Sequence, residues 1–122
     1  MSWFAPNLPK QKHCFFDGQG GFSQGIYASL NVSTKGTDNI THVWQNLEKV
    51  AAYFGLHSDR LNLLKQDVSS NVAYVESPTP DWLKVDGVVT DKKDTVLCIR
   101  TADCAPVLFA DYQHGVIGAA HA

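Results

Sequence analysis

A cysteine and a histidine near the end of the chain have the residue types of a metal or thiol site. Cys104 precedes the apolar run Pro106–Ala110, and His121 follows the run Val116–Ala120. Thiolate sulfur and imidazole nitrogen are ligands that zinc prefers. The same two groups also serve as nucleophile and base in metal-free cysteine hydrolases. Both chemistries require the two side chains to meet.

The turn between the two runs decides whether they meet. The stretch Asp111–Gly115 is turn-like and short enough to form an antiparallel hairpin. With a symmetric loop of two residues (112–113) or four (111–114), Cys104 faces His121. Directly opposed residues have Cβ atoms about 4.5–5.5 Å apart, a gap that zinc bridges. A three-residue loop with a bulge at Gly115 would instead turn the two side chains to opposite faces.

The neighbouring candidates have weaker signals. Asp103, beside Cys104, is a candidate catalytic residue that would orient a ligand or substrate, or it caps a turn. Cys98 lies in an apolar run and Cys14 beside aromatic residues, so both are expected in the core. The other four histidines have no metal-ligand spacing and are expected at the surface: His13, His42, His57 and His114.

One helix is predicted over residues 39–54. Its apolar positions recur at intervals of three and four, Asp38 is placed to cap its start, and Gly55 is placed to end it. Trp44 and Phe54 are expected in the core because they lie on the apolar stripe.

Short apolar runs after the helix predict strands, and the Ser77–Asp81 stretch predicts a loop because prolines interrupt it. The last two runs do not alternate in polarity, which favours strands covered on both faces. One helix cannot cover that much sheet, so we expect covering layers in polypeptide beyond this chain. The predicted strands are Leu61–Lys65, Val72–Glu76, Val85–Thr90, Thr95–Thr101, Pro106–Ala110 and Val116–Ala120.

Composition excludes several classes of partner. A net charge of -2 and a pI near 6.2 do not favour nucleic acid or an anionic membrane as partner. No signal peptide or membrane-spanning run is present, so a cytoplasmic protein is expected. Three cysteines without an export signal do not favour a disulfide framework. The length of 122 residues predicts a single domain over 1–122.

Four segments closely resemble the YfiH-like laccase-domain family, once labelled polyphenol oxidases. In the family's order, they are Gly21–Asn31, Asp86–Asp91, Thr101–Leu108 and Gly118–Ala122. The resemblance implies an α+β fold with mixed, largely antiparallel sheets flanked by helices, of which this chain is the incomplete N-terminal portion. It also implies a zinc-dependent purine nucleoside phosphorylase with adenosine deaminase and methylthioadenosine phosphorylase activities. The implied partners are purine nucleosides and phosphate.

The resemblance implies a zinc ion bound by one cysteine and two histidines. Cys104 and His121 occupy two of the ligand positions, but the third is occupied by Val68, which has no donor atom. Asp67 is a weak substitute, because an extended chain points it to the opposite side. Substrate or phosphate contacts are assigned to four further residues: Ser23, Ser29, Asn31 and Arg100.

This sequence departs from the family pattern at Val68 and at its C-terminal end, and these departures lead to alternative hypotheses. Family members continue well beyond the position of Ala122, so this chain is expected to be inactive as a truncated copy or to associate with the missing C-terminal part or another copy. The copper implied by the laccase label is disfavoured, because five scattered histidines do not form a multicopper set. A metal-free cysteine hydrolase using Cys104 and His121 remains the enzymatic alternative.

Overall fold

The computed structural model describes residues 2–9, 12–76 and 83–122. The chain forms two compact units, Met1–Ser58 and Asp59–Ala122. The expectation of a single domain stays a prediction. The predicted loop Ser77–Asp81 lies outside the described residues.

The first unit contains a short hairpin and a helix. Strand β1 (Ser2–Trp3) pairs antiparallel with β2 (Phe15–Phe16), and Gly25–Tyr27 forms a single 3-10 turn. Helix α1 spans Ile40–Tyr53. Its start and end are close to those predicted from apolar periodicity, because that periodicity and the caps are local features of the chain.

The caps of α1 confirm one prediction and correct another. Gly55 has a φ of 72°, and the N–H groups of Gly55 and Leu56 donate to the carbonyls of Ala52 and Ala51 at 3.0 and 3.1 Å, which is a Schellman motif. The N-cap, however, is Asn39, whose side chain accepts the Thr41 N–H at 2.9 Å. The prediction of Asp38 as cap is therefore wrong.

Two burial predictions in this unit are also wrong. Trp44 is 44% exposed, since the buried stripe of α1 runs through Val43, Leu47 and Val50 and Trp44 lies beside it. His13, expected at the surface, is only 7% exposed. Its Nε2 accepts the Ala5 N–H at 2.8 Å, so Nδ1 carries the proton that is donated to the Pro9 carbonyl at 2.6 Å. His13 is thus a hydrogen-bonded core residue.

The second unit is built from two small sheets. Each predicted apolar run contains a strand, although most are shorter than predicted. Strand β3 (Leu61–Asn62) pairs parallel with β6 (Val96–Leu97). The other sheet has four strands in the order β4-β5-β8-β7, in which β4 pairs parallel with β5 and the other pairs are antiparallel. These strands are β4 (Val72–Tyr74), β5 (Gly87–Thr90), β7 (Pro106–Asp111) and β8 (Val116–His121).

One face of the four-stranded sheet packs into a core and the other does not. Val88 and Ala119 are opposed across β5 and β8 and join a buried cluster with Leu64, Val75 and Val85. On the opposite face, Phe109 is 57% exposed, and Val72, Tyr74 and Val107 are also exposed. Within the described residues this second face is uncovered, and its cover by polypeptide beyond this chain stays a prediction.

Candidate active site

A buried carboxylate forms the centre of the candidate site. Asp86 directly precedes β5 and is 3% exposed. Its oxygens accept the backbone N–H groups of Asp67 at 3.1 Å, Val68 at 3.2 Å and Ser69 at 2.8 Å, and the Ser69 hydroxyl at 2.8 Å. Residues 67–69 therefore wrap around this one side chain.

The same carboxylate holds His121, the last residue of β8. His121 Nδ1 lies 2.8 Å from Asp86 Oδ1, and the His121 backbone N–H donates to the Asp86 carbonyl at 2.7 Å. Burial raises the pKa of Asp86, but the hydrogen bonds from the His121 and Ser69 side chains and from the Asp67 and Ser69 backbone outweigh it and hold that pKa well below its ordinary value. The pair is therefore an ionised carboxylate orienting an imidazole, an arrangement common behind both metal-binding and catalytic histidines.

Val68, which the family resemblance predicts at the third ligand position, lies at this carboxylate. Its N–H and His121 Nδ1 share Asp86 Oδ1 as acceptor. Its backbone has a φ of 49° and its side chain is 90% exposed. A β-branched residue rarely adopts a positive φ, because its Cβ substituents crowd the backbone. Asp67, the weak substitute, is exposed and contributes a backbone N–H to the same cradle.

Cys104 does not lie opposite His121 in the hairpin. The observed register pairs Pro106 with His121 and ends with Asp111 opposite Val116, leaving a four-residue loop of residues 112–115. The Asp111 carboxylate accepts the N–H groups of Gln113 and His114 at 3.1 and 3.2 Å. Since Gly115 supplies a positive φ of 66°, it belongs to the loop. The predicted register was therefore displaced by two residues.

The displacement places Cys104 just beyond the paired strands. Ala105 and Ala122 still exchange backbone hydrogen bonds of 3.1 and 2.8 Å, whereas residues 102–104 bend away from the extended conformation. Cys104 and Asp103 are both exposed. Because residues 102–104 are not extended, the alternation of faces along a strand does not carry from Pro106 to Cys104, and the register predicts no shared face for Cys104 and His121. Their joint role as ligands stays a prediction.

The three cysteines should differ sharply in reactivity. Cys98 and Cys14 are half-buried, and burial raises the pKa of both thiols, that of Cys98 to about 12. At neutral pH, Cys98 should react with iodoacetamide at least about a hundredfold more slowly than exposed Cys104, because the thiolate is the reacting form. Peptide mass spectrometry over a labelling time course measures this, with the urea-unfolded chain as control. Equal rates in the folded chain would contradict the burial of Cys98.

Three of the predicted substrate residues form a hydrogen-bonded network inside the first unit. The Ser23 hydroxyl donates to Asp38, Asn31 Nδ2 donates to the same carboxylate at 3.1 Å, and Ser29 Oγ accepts the Gly21 N–H at 3.1 Å. The bond from Ser23, as the main cause, and that from Asn31 hold the pKa of Asp38 below its ordinary value. Asn46, fully buried, donates to Ser23 Oγ at 2.9 Å. In this arrangement, these groups stabilise the loop around Gly21.

Arg100, the fourth predicted substrate residue, is tied to the second unit. Its Nη2 donates to the Leu64 carbonyl at 2.8 Å, and its backbone exchanges hydrogen bonds of 2.8 and 2.7 Å with the Gln66 side chain. Gln66 thereby fixes the start of the loop that wraps Asp86. The structure places Arg100 in support of that loop.

Asp86 and Ser69 were not predicted as site residues. A signal for Asp86 was available, since an aspartate within the apolar run from Val85 to Val89 is a buried charge that requires partners. The pairing of Asp86 with Ser69 and His121 has no such signal, because these residues lie 17 and 35 residues away in the sequence.

The donor atoms do not complete a metal site. Within residues 2–9, 12–76 and 83–122, no three His, Cys, Asp or Glu side chains are grouped so that they could hold a metal ion. His121 and Cys104 provide two suitable donors and Val68 provides none. We therefore assign no reaction step to a metal.

The fold and site define an α+β protein with a carboxylate-supported histidine at the end of a mixed sheet. Residues 12–122 match the family described as multi-copper polyphenol oxidoreductase laccase. The chain belongs to this family, which confirms the resemblance inferred from its motifs. Part of the helix-bearing, mixed-sheet fold is present.

The relatives are named as purine nucleoside phosphorylases. The Deinococcus radiodurans protein is 40% identical over 118 residues, covering 97% of this chain and 45% of the relative. A Streptomyces griseus protein is 36% identical over 121 residues, covering 97% of this chain and 49% of the relative.

Solved structures show the same fold. Neisseria meningitidis protein NMB0706 superposes with a TM-score of 0.80 at 32% identity, over 100% of this chain and 49% of its own. YlmD from Geobacillus stearothermophilus superposes with a TM-score of 0.77 at 27% identity, over 86% and 42%. The chain thus spans less than half the length of each of these proteins. No helix in the described part of the chain is long and apolar enough to cross a membrane.

Proposed function

We propose that this chain carries part of the active site of a purine nucleoside phosphorylase, with purine nucleosides and phosphate as substrates. The observation that carries the proposal is similarity across almost the whole chain to relatives named for that activity. In phosphorolysis, a phosphate oxygen forms a bond to the ribose anomeric carbon while the bond to the purine nitrogen breaks. Adenosine deaminase and methylthioadenosine phosphorylase activities are proposed with it on the family resemblance.

His121 is the residue to which we assign contact with the reacting groups. Asp86 engages its Nδ1, so Nε2 is the atom left to accept or donate a proton, or to bind a metal. Cys104 is proposed as a second site residue and Asp103 as its orienting neighbour. Ser23, Ser29, Asn31 and Arg100 remain proposed substrate contacts, although each is engaged in internal hydrogen bonds.

A chimera tests the proposed activity. The 118 matched residues of the Deinococcus radiodurans relative would be replaced by the corresponding residues of this chain, with the rest of the relative retained. Phosphate-dependent release of hypoxanthine from inosine, or of adenine from adenosine, is the expected result. A folded chimera that lacks this activity even with Val68→His, while the parent relative retains it, would overturn the proposal.

Zinc is proposed as the metal, with Cys104 and His121 as ligands and an incomplete third position. Val68→His should increase zinc affinity by at least about tenfold, because it adds an imidazole beside the Asp86 cradle. Val68→Asn is the matched control, since asparagine also tolerates a positive φ but lacks the imidazole. Equilibrium dialysis with metal analysis measures the difference. Equal zinc affinity in the two variants would show that position 68 is not a ligand position in this chain.

The metal-free cysteine hydrolase remains a second candidate, favoured by the carboxylate that orients His121. Iodoacetamide labelling of Cys104 with and without zinc distinguishes the two. Stoichiometric zinc that protects the thiol supports the metal site, whereas a reactive thiol that binds no zinc and forms an acyl-enzyme with an ester substrate supports the hydrolase.

The exposed sheet face supports a third proposal, that this chain associates with another copy. Val72, Tyr74, Val107 and Phe109 present an apolar surface. We expect sedimentation velocity to show concentration-dependent dimers that Phe109→Lys disrupts. Ile26→Lys, at an exposed apolar residue of the other unit, is the control and should leave the dimer intact. A wild-type chain that stays monomeric throughout would contradict this proposal.

A further inference from the structure

Two site positions that are distant in sequence share one anchor. Asp86 Oδ1 accepts hydrogen bonds from His121 Nδ1 at 2.8 Å and from the Val68 N–H at 3.2 Å. Asp86 Oδ2 accepts the N–H and the hydroxyl of Ser69, each at 2.8 Å. Every neighbour of the carboxylate named here is a donor.

The Asp86 carboxylate determines the tautomer of the His121 imidazole. An ionised carboxylate only accepts hydrogen bonds, so the imidazole must carry its proton on Nδ1 when the ring is neutral. The lone pair of the ring then lies on Nε2. With its side chain 10% exposed, His121 has little room to adopt another orientation.

The Asp86 carboxylate also determines the backbone conformation of Val68. Val68 contributes nothing that would favour its φ of 49°, since its side chain is β-branched and almost fully exposed. The N–H groups of residues 67–69 all point at Asp86. The hydrogen bonds of this cradle, and not the side chain at 68, therefore hold the loop in its conformation.

We infer that Asp86 is a positioning residue for two places in the site at once, fixing the Nε2 lone pair of His121 and holding the backbone of residue 68 beside it. That Asp86 positions His121 and residue 68 follows from the hydrogen bonds alone. Only the use of the site in phosphorolysis rests on the proposed function. Asp86 acts through His121 and residue 68 and is not assigned contact with substrate.

The tautomer of His121 provides the test. In the full chain labelled with ¹⁵N-histidine, NMR at alkaline pH should show His121 predominantly in the Nδ1–H form. Asp86→Asn should shift the ring towards the Nε2–H form, because an amide NH₂ placed against Nδ1 requires an acceptor there. It should also accelerate amide exchange at residues 68 and 69 by at least about tenfold, since their N–H groups lose an ionised acceptor.

The control is a second pair with the same contact in an exposed position. His114 Nδ1 lies 2.8 Å from Asp111 Oδ2, and both side chains are largely exposed. Asp111→Asn should leave the His121 tautomer and the exchange at residues 68 and 69 unchanged.

Two results would overturn the inference: an Nε2–H form of His121 in the wild-type chain, or an Asp86→Asn variant in which neither tautomer nor exchange changes. The wild-type spectrum decides the tautomer by itself, so a variant that fails to fold does not remove the test. Since neither measurement uses substrate or metal, an Nδ1–H tautomer without phosphorolysis in the chimera would count against the proposed function alone.

Discussion

Asp86→Ala is expected to lower the free energy of unfolding by about 3–5 kcal/mol, because five donors lose their acceptor and each donor left unsatisfied in a buried position costs about 1–3 kcal/mol. The substitution removes the acceptor for three backbone N–H groups, the Ser69 hydroxyl and His121 Nδ1. Donors left buried without an acceptor lose the hydration they had in the unfolded chain. Urea denaturation followed by circular dichroism at neutral pH measures the change.

Asp111→Ala is the matched control for this prediction. Asp111 also holds a histidine at 2.8 Å and accepts two backbone N–H groups, but it does so in an exposed turn. Solvent replaces these bonds, so the loss of stability should be much smaller than at Asp86. Comparable losses at Asp86 and Asp111 would show that the Asp86 cradle is no more important to stability than a surface turn.

Gly21→Ala should be the most damaging change in the first unit, lowering the free energy of unfolding by about 3 kcal/mol. A Cβ at this position would lie 2.2 Å from the Ser29 carbonyl oxygen and 2.6 Å from both Asn46 Oδ1 and Leu30 Cα. Two of these atoms are backbone and the third accepts the Phe22 N–H at 2.7 Å. None can move without breaking the polar network around it.

The control for Gly21 lies three residues earlier. A Cβ added at Gly18 would meet nothing within 4 Å, so Gly18→Ala should change stability by less than about 1 kcal/mol. Thermal and urea unfolding of the two variants provide the comparison. Equal stability would mean that the close approach of Gly21 to Ser29 is relaxed in solution.

The hairpin shows how far the sequence predicts position. Apolar runs and turn residues locate β7, β8 and the loop between them, because these signals are local. These local signals do not predict the number of loop residues. Asp111 stays paired with Val116 in the strand while its carboxylate accepts hydrogen bonds from the loop N–H groups. A two-residue error in register followed.

Side-chain burial was likewise predicted only in part from the sequence. The periodicity of α1 predicts which stripe faces inward but not how wide that stripe is, so Trp44 was misplaced while Leu47 and Val50 are buried. His13 was misplaced because its partners, Ala5 and Pro9, adopt positions that only the folded segment defines.

The sequence by itself determined helix α1 and the family, and through the family the α+β class, because these depend on local periodicity or on contiguous motifs. Cys104 and His121 as joint site residues stay a prediction. Only the tertiary structure identified Asp86 as the residue that joins His121 to the loop around Val68. The physical reason is that a buried carboxylate takes its donors from whichever segments surround it, and three segments far apart in the chain meet there. Neither residue spacing nor composition predicts that these segments come into contact.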